Sequence, residues 1–418
     1  MTELNETLIL HNIGRLYSFP GPVGGEAMET PVIIEDAAIT ASGRTITRVG
    51  PEKDIWKDAE LAPDALCIDC KGKAVVPGFV DPHTHAVFGG TRENELVMKL
   101  KGASYLDILA SGGGILRTVR ETRSLGVPTL IRELDRHLDI MMVHGTTCAE
   151  VKSGYGLTPE TEMDLLRAVR GSSHPVERVA TFMGPHTVPP EYKGRSDGFL
   201  DLMISILPAV KSEGLADFAD IFCEKGVFSA EQSRRFLSAA KAAGLGTKVH
   251  SDEIENLGGT IVGANLGAAS ADHLLVSTAS DLEALKASGT VPVLLPATIL
   301  SLFEERIPPV KEMLSLGLPI ALATDLNPNC MCHSMQFVMA LACYRLRMTP
   351  HQVLAASTVN AAKAVGLSHR KGRLSPGYDA DMVVLKEASF DHVVYQMGTN
   401  HVDRVIIGGK SIIEGVGN

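Results

Sequence analysis

Eight short apolar runs alternate with segments of helical period through the middle of the chain, and this alternation limits the fold more than any other feature. The runs are "KAVVPGFVD", "GTTCAEVKS", "ERVATFMG", "DFADIFCE", "LGTKVHSDE", "ASADHLL", "VPVLLPA" and "PIALATDLN". Between them lie stretches such as "PETEMDLLRAVRGSS", "SAEQSRRFLSAAKAAG" and "TASDLEALKASG", whose apolar residues recur with a helical period. Strand–helix alternation of this kind builds a parallel sheet covered by helices. Eight such units predict an α/β fold of the (β/α)8 barrel type, with a doubly wound sheet as the competing architecture. The two ends of the chain read differently. "PVIIEDAAITASGRTITRVG" near the start and "VDRVIIGGKSIIEG" near the end are short strands punctuated by Gly turns.

Bulk properties narrow the function. A formal net charge of -10 without a basic block argues against nucleic acid or an anionic membrane as a partner. No run reaches the eighteen or so apolar residues of a membrane helix. "MTELNETLILHNIGRLYSF" has no basic start followed by an apolar core, so a cytoplasmic enzyme is expected. Seven scattered cysteines fit reduced thiols; the pairs Cys67/Cys70 and Cys330/Cys332 lack the second pair of a structural zinc site. The glycines Gly112 to Gly114 in "SGGGILRTVRETR" precede a helix without the Gly-Lys-Ser/Thr of a nucleotide site, and read as a loop.

A barrel gathers its active site at the carboxyl ends of its strands. His83 and His85 follow the first run, and their i, i+2 spacing in an extended segment turns both rings to one side. His186 lies after the third, His250 ends the fifth, His273 the sixth and Asp325 the eighth. Only 14 of 418 residues are histidine, so scatter does not account for this placement. Imidazole and carboxylate donors without thiolate suit Zn(II) or Fe(II), and three His with one Asp leave a coordination position for water. A proton carrier is also needed. Glu253, three residues after His250, is placed for it, although spacing alone serves Asp252 or Glu255 equally well.

"PGFVDPHTH", His250, His273 and "ATD" ending at Asp325 resemble the amidohydrolase superfamily. "DPHTHAVFGGTRENEL", "GGGILRTVRETR", "EVKSGYGL", "TFMGPHTVPPEY", "KVHSDE" and "ATDLNPN" extend that likeness along essentially the whole chain. The resemblance implies a barrel over residues 77–370 and a small β-sandwich assembled from residues 1–76 and 371–418. It implies one divalent metal ion, Zn2+ or Fe2+, held by His83, His85, His250 and Asp325. Glu253 would then shuttle the proton, and His273 would orient the attacking water. Arg92, Tyr155, His186 and Asn327 match positions that hold substrate, with Asn329 and Cys330 close by. "NPNCMCHSM" departs from the Gly- and Ser- or Thr-containing forms of that loop. Relatives with two metals carry a carboxylated lysine at the fourth strand, whereas "DIFCEKG" offers none at its terminal inward position.

The activity so implied is hydrolytic opening of a cyclic amide on a small molecule bearing a propanoate, for which Arg92 is the carboxylate partner. Read without the resemblance, Arg92 is an ordinary surface arginine and Tyr155 a rim residue. A nucleobase deaminase of the same superfamily is the nearest rival, since His-x-x-Glu also serves ammonia release; it needs no carboxylate anchor. A non-catalytic relative would be missing a ligand, and this chain has the full set. The superfamily pattern allows a homodimer without naming an interface.

Overall fold

The computed structural model describes residues 7–57, 65–103, 107 and 111–414. Its strands form two sheets. One is parallel throughout and runs in chain order: Phe79–Asp81, Thr146–Lys152, Glu177–Phe182, Phe218–Ala219 with its continuation Phe222–Cys223, Gly246–Ser251, Ser270–His273, Val291–Leu294 and Ala321–Leu322. Closure comes just past the first and last of these strands. Thr84 bridges Leu326, the Asp325 amide donates to the His83 carbonyl at 3.1 Å, and the His85 amide donates to the Leu326 carbonyl at 2.8 Å. The Asp81 carboxylate adds a bond from Thr324 Oγ1 at 2.5 Å. The sheet therefore closes on itself as a barrel, and the doubly wound alternative is set aside.

The second sheet takes strands from both chain ends. Thr7–Ser18 pairs with Val32–Ser42 antiparallel, Met382–Leu385 pairs with Ala74–Pro77, and Val402–Ile407 and Lys410–Glu414 complete the edge. Its apolar faces enclose a core of their own, including Leu10, Ile13, Leu16, Ile39, Val75, Met382 and Ile406, all without exposed surface.

Inside the barrel the period-two alternation of each strand decides what faces inward. On the second strand, Ala149 and Val151 pack outward under the helices, while Cys148 joins Val80, Val179, Val291, Val293 and Ala321 in a separate interior cluster. Ala361 and Ala362, from the helix Val359–Ala364, plug the bottom of that cluster. Above it the inward positions turn polar. Glu150, Lys152, Thr181, Asp220, Lys248 and Asp272 are all buried, and Thr181 Oγ1 donates to Glu150. An apolar floor, a charged middle layer and a histidine-rich mouth thus follow one another along the barrel axis.

No helix among the described residues is long and apolar enough to cross a membrane. The described cysteines are all free.

Candidate active site

The histidines at the mouth converge. Ring centroids of His83 lie 5.4 Å from His85, 4.4 Å from His250 and 5.5 Å from His273. Donor atoms of His83, His250 and His273 fall within 4.8 Å of one another, as do those of His83, His85 and Asp325. Asp325 Oδ1 is 3.5 Å from His83 Nε2 and 3.8 Å from His85 Nε2, while its Oδ2 accepts a bond from Thr298 Oγ1 at 2.5 Å. The eighth strand ends at Leu322, so Asp325 stands in the segment that closes the barrel, not in the strand itself.

Two features show that this cluster fits a cation. His83 Nε2 and His250 Nε2 are buried without a hydrogen-bond partner, a costly state unless something else uses their lone pairs. The electrostatic field points the same way. Burial and Lys152 favour a neutral His83, yet the carboxylates of Asp272 and Asp325 push it up to about 9. Burial opposes ionisation of Asp325, yet the imidazoles of His83, His273 and His85 hold it well below the carboxylate range. Burial pushes His250 down to about 3, keeping it a neutral donor. A neutral His250, an ionised Asp325 and a His83 whose surroundings favour positive charge together suit a divalent ion of borderline softness.

Two of the nitrogen donors are oriented from behind. His83 Nδ1 donates to Asp272 Oδ2 at 2.6 Å, which leaves Nε2 for the cluster, and Asp220 Oδ2 lies 2.9 Å from His250 Nδ1. His273 and Asp325 both sit at positive φ, +79° and +51°. Left-handed backbone at non-glycine residues concentrates at functional sites, where the surrounding bonds enforce it.

One cavity adjoins this cluster, and its wall includes ten of the predicted residues: His85, Arg92, Tyr155, His186, His250, Glu253, His273, Asp325, Asn327 and Asn329. His83 lies beneath it, fully buried. Cys330 is behind the wall, its Sγ 3.6 Å from the Thr324 carbonyl and its thiol pushed up by burial.

The three candidate carboxylates now separate. Asp252 is buried and accepts from Thr260 and Ser277; Glu255 pairs with Lys225 at 2.6 Å. Glu253 alone of the three lines the cavity, with Oε1 3.7 Å from His273 Nδ1. Burial, with help from Asp325 and Glu224, raises its carboxyl above the ordinary value.

Across the cavity the wall is cationic. Arg92 directs Nε and Nη2 to Glu95 Oε2 at 2.9 and 2.8 Å, and its side chain is only 9% exposed, so it is no ordinary surface arginine. The other oxygen of Glu95 accepts the Gly114 amide at 2.8 Å, filling the place where an anion would dock on that glycine turn. Lys99, which the sequence reading passed over, also lines the cavity and donates to Asn329 Oδ1 at 2.5 Å. Its neighbours in "ENELVMKLKG" carried no signal beyond a charged helix face.

Two aromatic groups complete the wall. His186 stacks on His85 at 4.7 Å and 13°, donating from Nδ1 to the Gly154 carbonyl at 3.1 Å, and burial pushes it down to about 4. Tyr155 packs 5.3 Å from His186. Its loop is held by the buried Glu162, which accepts the amides of Gly154, Gly156 and Leu157 at 2.9, 2.7 and 2.8 Å. Asn327 spends its side chain on its own loop: Oδ1 accepts the Asn329 and Cys330 amides, and Nδ2 donates to the Asp325 carbonyl.

Comparison with known proteins places this site in a lineage. The model of the amidohydrolase family matches residues 74–412. An imidazolonepropionase of Alkaliphilus metalliredigens is 44% identical over 398 residues, covering 94% of each chain. One of Haloarcula marismortui is 46% identical over 392 residues, 93% of this chain and 92% of its own. Among solved structures, guanine deaminase of E. coli superposes with a TM-score of 0.74 over 98% of this chain and 99% of its own, at 15% identity. Atrazine chlorohydrolase of Arthrobacter aurescens TC1, complexed with zinc, gives a TM-score of 0.74 over 98% and 95%, also at 15% identity. The likeness to the deaminase and the chlorohydrolase is therefore one of fold. The chain belongs to the amidohydrolase family and, within it, to the imidazolonepropionase group.

Proposed function

We propose that this enzyme hydrolyses the cyclic amide of 4-imidazolone-5-propanoate to N-formimidoyl-L-glutamate, using one divalent ion, zinc or iron, held by His83, His85, His250 and Asp325. The observation that carries the reading is the meeting, in one cavity, of that buried donor cluster with the cations of Arg92 and Lys99. The 44% and 46% identities to imidazolonepropionases support the same substrate. When bound, the ion supplies Lewis acidity, which polarises a carbonyl and acidifies water.

The chain's own groups do the rest. The free donors of Arg92, helped by Lys99, hold the propanoate and so fix which ring edge faces the donor cluster. Tyr155 and His186 lie against the flat ring and limit its tilt. His273 orients the attacking water from the side of Glu253. Glu253 accepts that water's proton and returns it to the ring nitrogen as the C–N bond breaks, a task helped by its raised carboxyl. The test is to identify the product by mass spectrometry after incubation with imidazolonepropanoate. Formimidoylglutamate supports the proposal, whereas ammonia release from guanine or cytosine with no ring opening would move the chain to the deaminases.

A further inference from the structure

One fully buried charge has no part in this chemistry. Lys152 projects from the second strand into the barrel. Its Nζ lies 2.8 Å from Asp220 Oδ2, 2.9 Å from Glu150 Oε2 and 3.6 Å from Asp272 Oδ2. Lys248 joins the layer, 3.0 Å from Glu150 and donating to the Pro82 carbonyl at 3.1 Å. Two ammonium groups thus face three carboxylates beneath the histidine cluster.

Asp220, His250 and Asp272 by themselves form a donor set, one ligand atom from each falling within 4.8 Å of the others. All three are buried, Asp272 Oδ1 has no hydrogen-bond partner, and His250 Nδ1 faces Asp220 Oδ2 at 2.9 Å. Buried oxygen and nitrogen donors grouped this closely are what a second metal position requires. Lys152 already stands against two of the three. A divalent ion added there would meet an ammonium at close range in a medium that screens poorly. It would also compete with His83 Nδ1 for Asp272, a bond of 2.6 Å.

We infer that Lys152 is the built-in second cation of this centre: its ammonium takes the Asp220–His250–Asp272 position that a second metal ion would otherwise fill, and keeps the centre mononuclear. The inference rests on the reading of His83, His85, His250 and Asp325 as holders of one divalent ion. It makes Lys152 a positioning residue. The ammonium fixes the two carboxylates that stand behind His250 and His83.

The test is metal stoichiometry. Wild type and Lys152→Met are loaded with excess Zn2+, freed of loose ion by gel filtration and assayed by mass spectrometry of the metal. Co2+-loaded samples are examined by electron paramagnetic resonance for spin coupling between two ions. One ion per wild-type chain and two per variant chain, with coupling only in the variant, is the expected result. Lys152→Gln, which keeps a donor toward Asp220, replaces the Met variant if that chain fails to fold. Because a divalent ion should substitute for the lost ammonium, Zn2+ should also rescue folding of either variant. One ion in a folded variant, two in the wild type, or two variants that Zn2+ cannot rescue would each overturn the inference. No ion in the wild type would instead remove the metal reading beneath it.

Discussion

Replacing Asp272 by Asn tests how much of the centre's affinity is set from behind its ligands. The substitution keeps the shape and removes one charge from a fully buried position. Asp272 now accepts a charge-assisted bond of 2.6 Å from His83 Nδ1 and sits 3.6 Å from the Lys152 ammonium. Both contacts fall on Oδ2, so an Asn whose carbonyl takes that place keeps the shape but gives up the negative charge that both donors face. If the amide flips, its NH2 meets His83 and Lys152 donor against donor, and the tautomer of His83 is no longer fixed. Loss of such an outer partner typically costs about 10- to 100-fold in metal affinity, equivalent to roughly 1.4–2.8 kcal/mol. Asp272 is held well below the ordinary carboxylate range against its burial, chiefly by Lys152 and His83, so the wild-type charge persists through any working pH. The effect should therefore appear equally at pH 6.5 and 8.5 once proton competition at the ligands is subtracted. Competition with a chelator of known affinity measures it, with circular dichroism confirming the fold. A dissociation constant within twofold of wild type would refute the argument that Asp272 orients His83.

Three further substitutions probe the cavity wall. Glu253→Gln should lower kcat by about 10²- to 10⁴-fold with little change in KM; in wild type, activity should fall as pH drops through a carboxyl value above the ordinary one, because the proton acceptor must be ionised, and this limb should be absent from the residual activity of the Gln variant. Arg92→Lys should raise KM more than it lowers kcat, since a lysine cannot bond Glu95 through two donors and still present a fork to the propanoate; a loss confined to kcat would contradict the anchor role. Gly154→Ala places a Cβ 2.9 Å from both His186 Nδ1 and the Met183 carbonyl at a φ of +115°, so a loss of about 1–3 kcal/mol in thermal or denaturant unfolding, with weakened substrate binding, is expected.

Much of this architecture can be read from the sequence, for physical reasons that also mark where reading stops. The eight parallel strands announce themselves because a strand buried on both faces is continuously apolar. His83, His85, His250 and His273 stand out because they interrupt or end such runs. The charged layer beneath them was harder. Glu150 and Lys152 in "AEVKS", and Lys248 before His250 in "TKVHS", sit two apart within apolar runs, a spacing that in retrospect marks one inward face. Their partners, Asp220 and Asp272, come from other strands, and only barrel closure brings them together. Lys99 and Glu162 escape the sequence for a related reason: their places are set by loops distant in the chain or folded back on themselves, Asn329 beside the first and Gly154 to Leu157 around the second. Asn327 was legible as a site residue, but not the commitment of its side chain to its own turn.

The central claim is that the His/Asp cluster holds a divalent ion needed to open the imidazolone ring. Loss of the imidazolone absorbance should be followed with untreated protein, with protein stripped by a chelator, and with stripped protein given Zn2+ or Fe2+. Rapid loss in the first, none in the second and recovery in the third is the predicted pattern. Undiminished ring opening by protein shown to be metal-free, or none by fully loaded protein, would contradict the account.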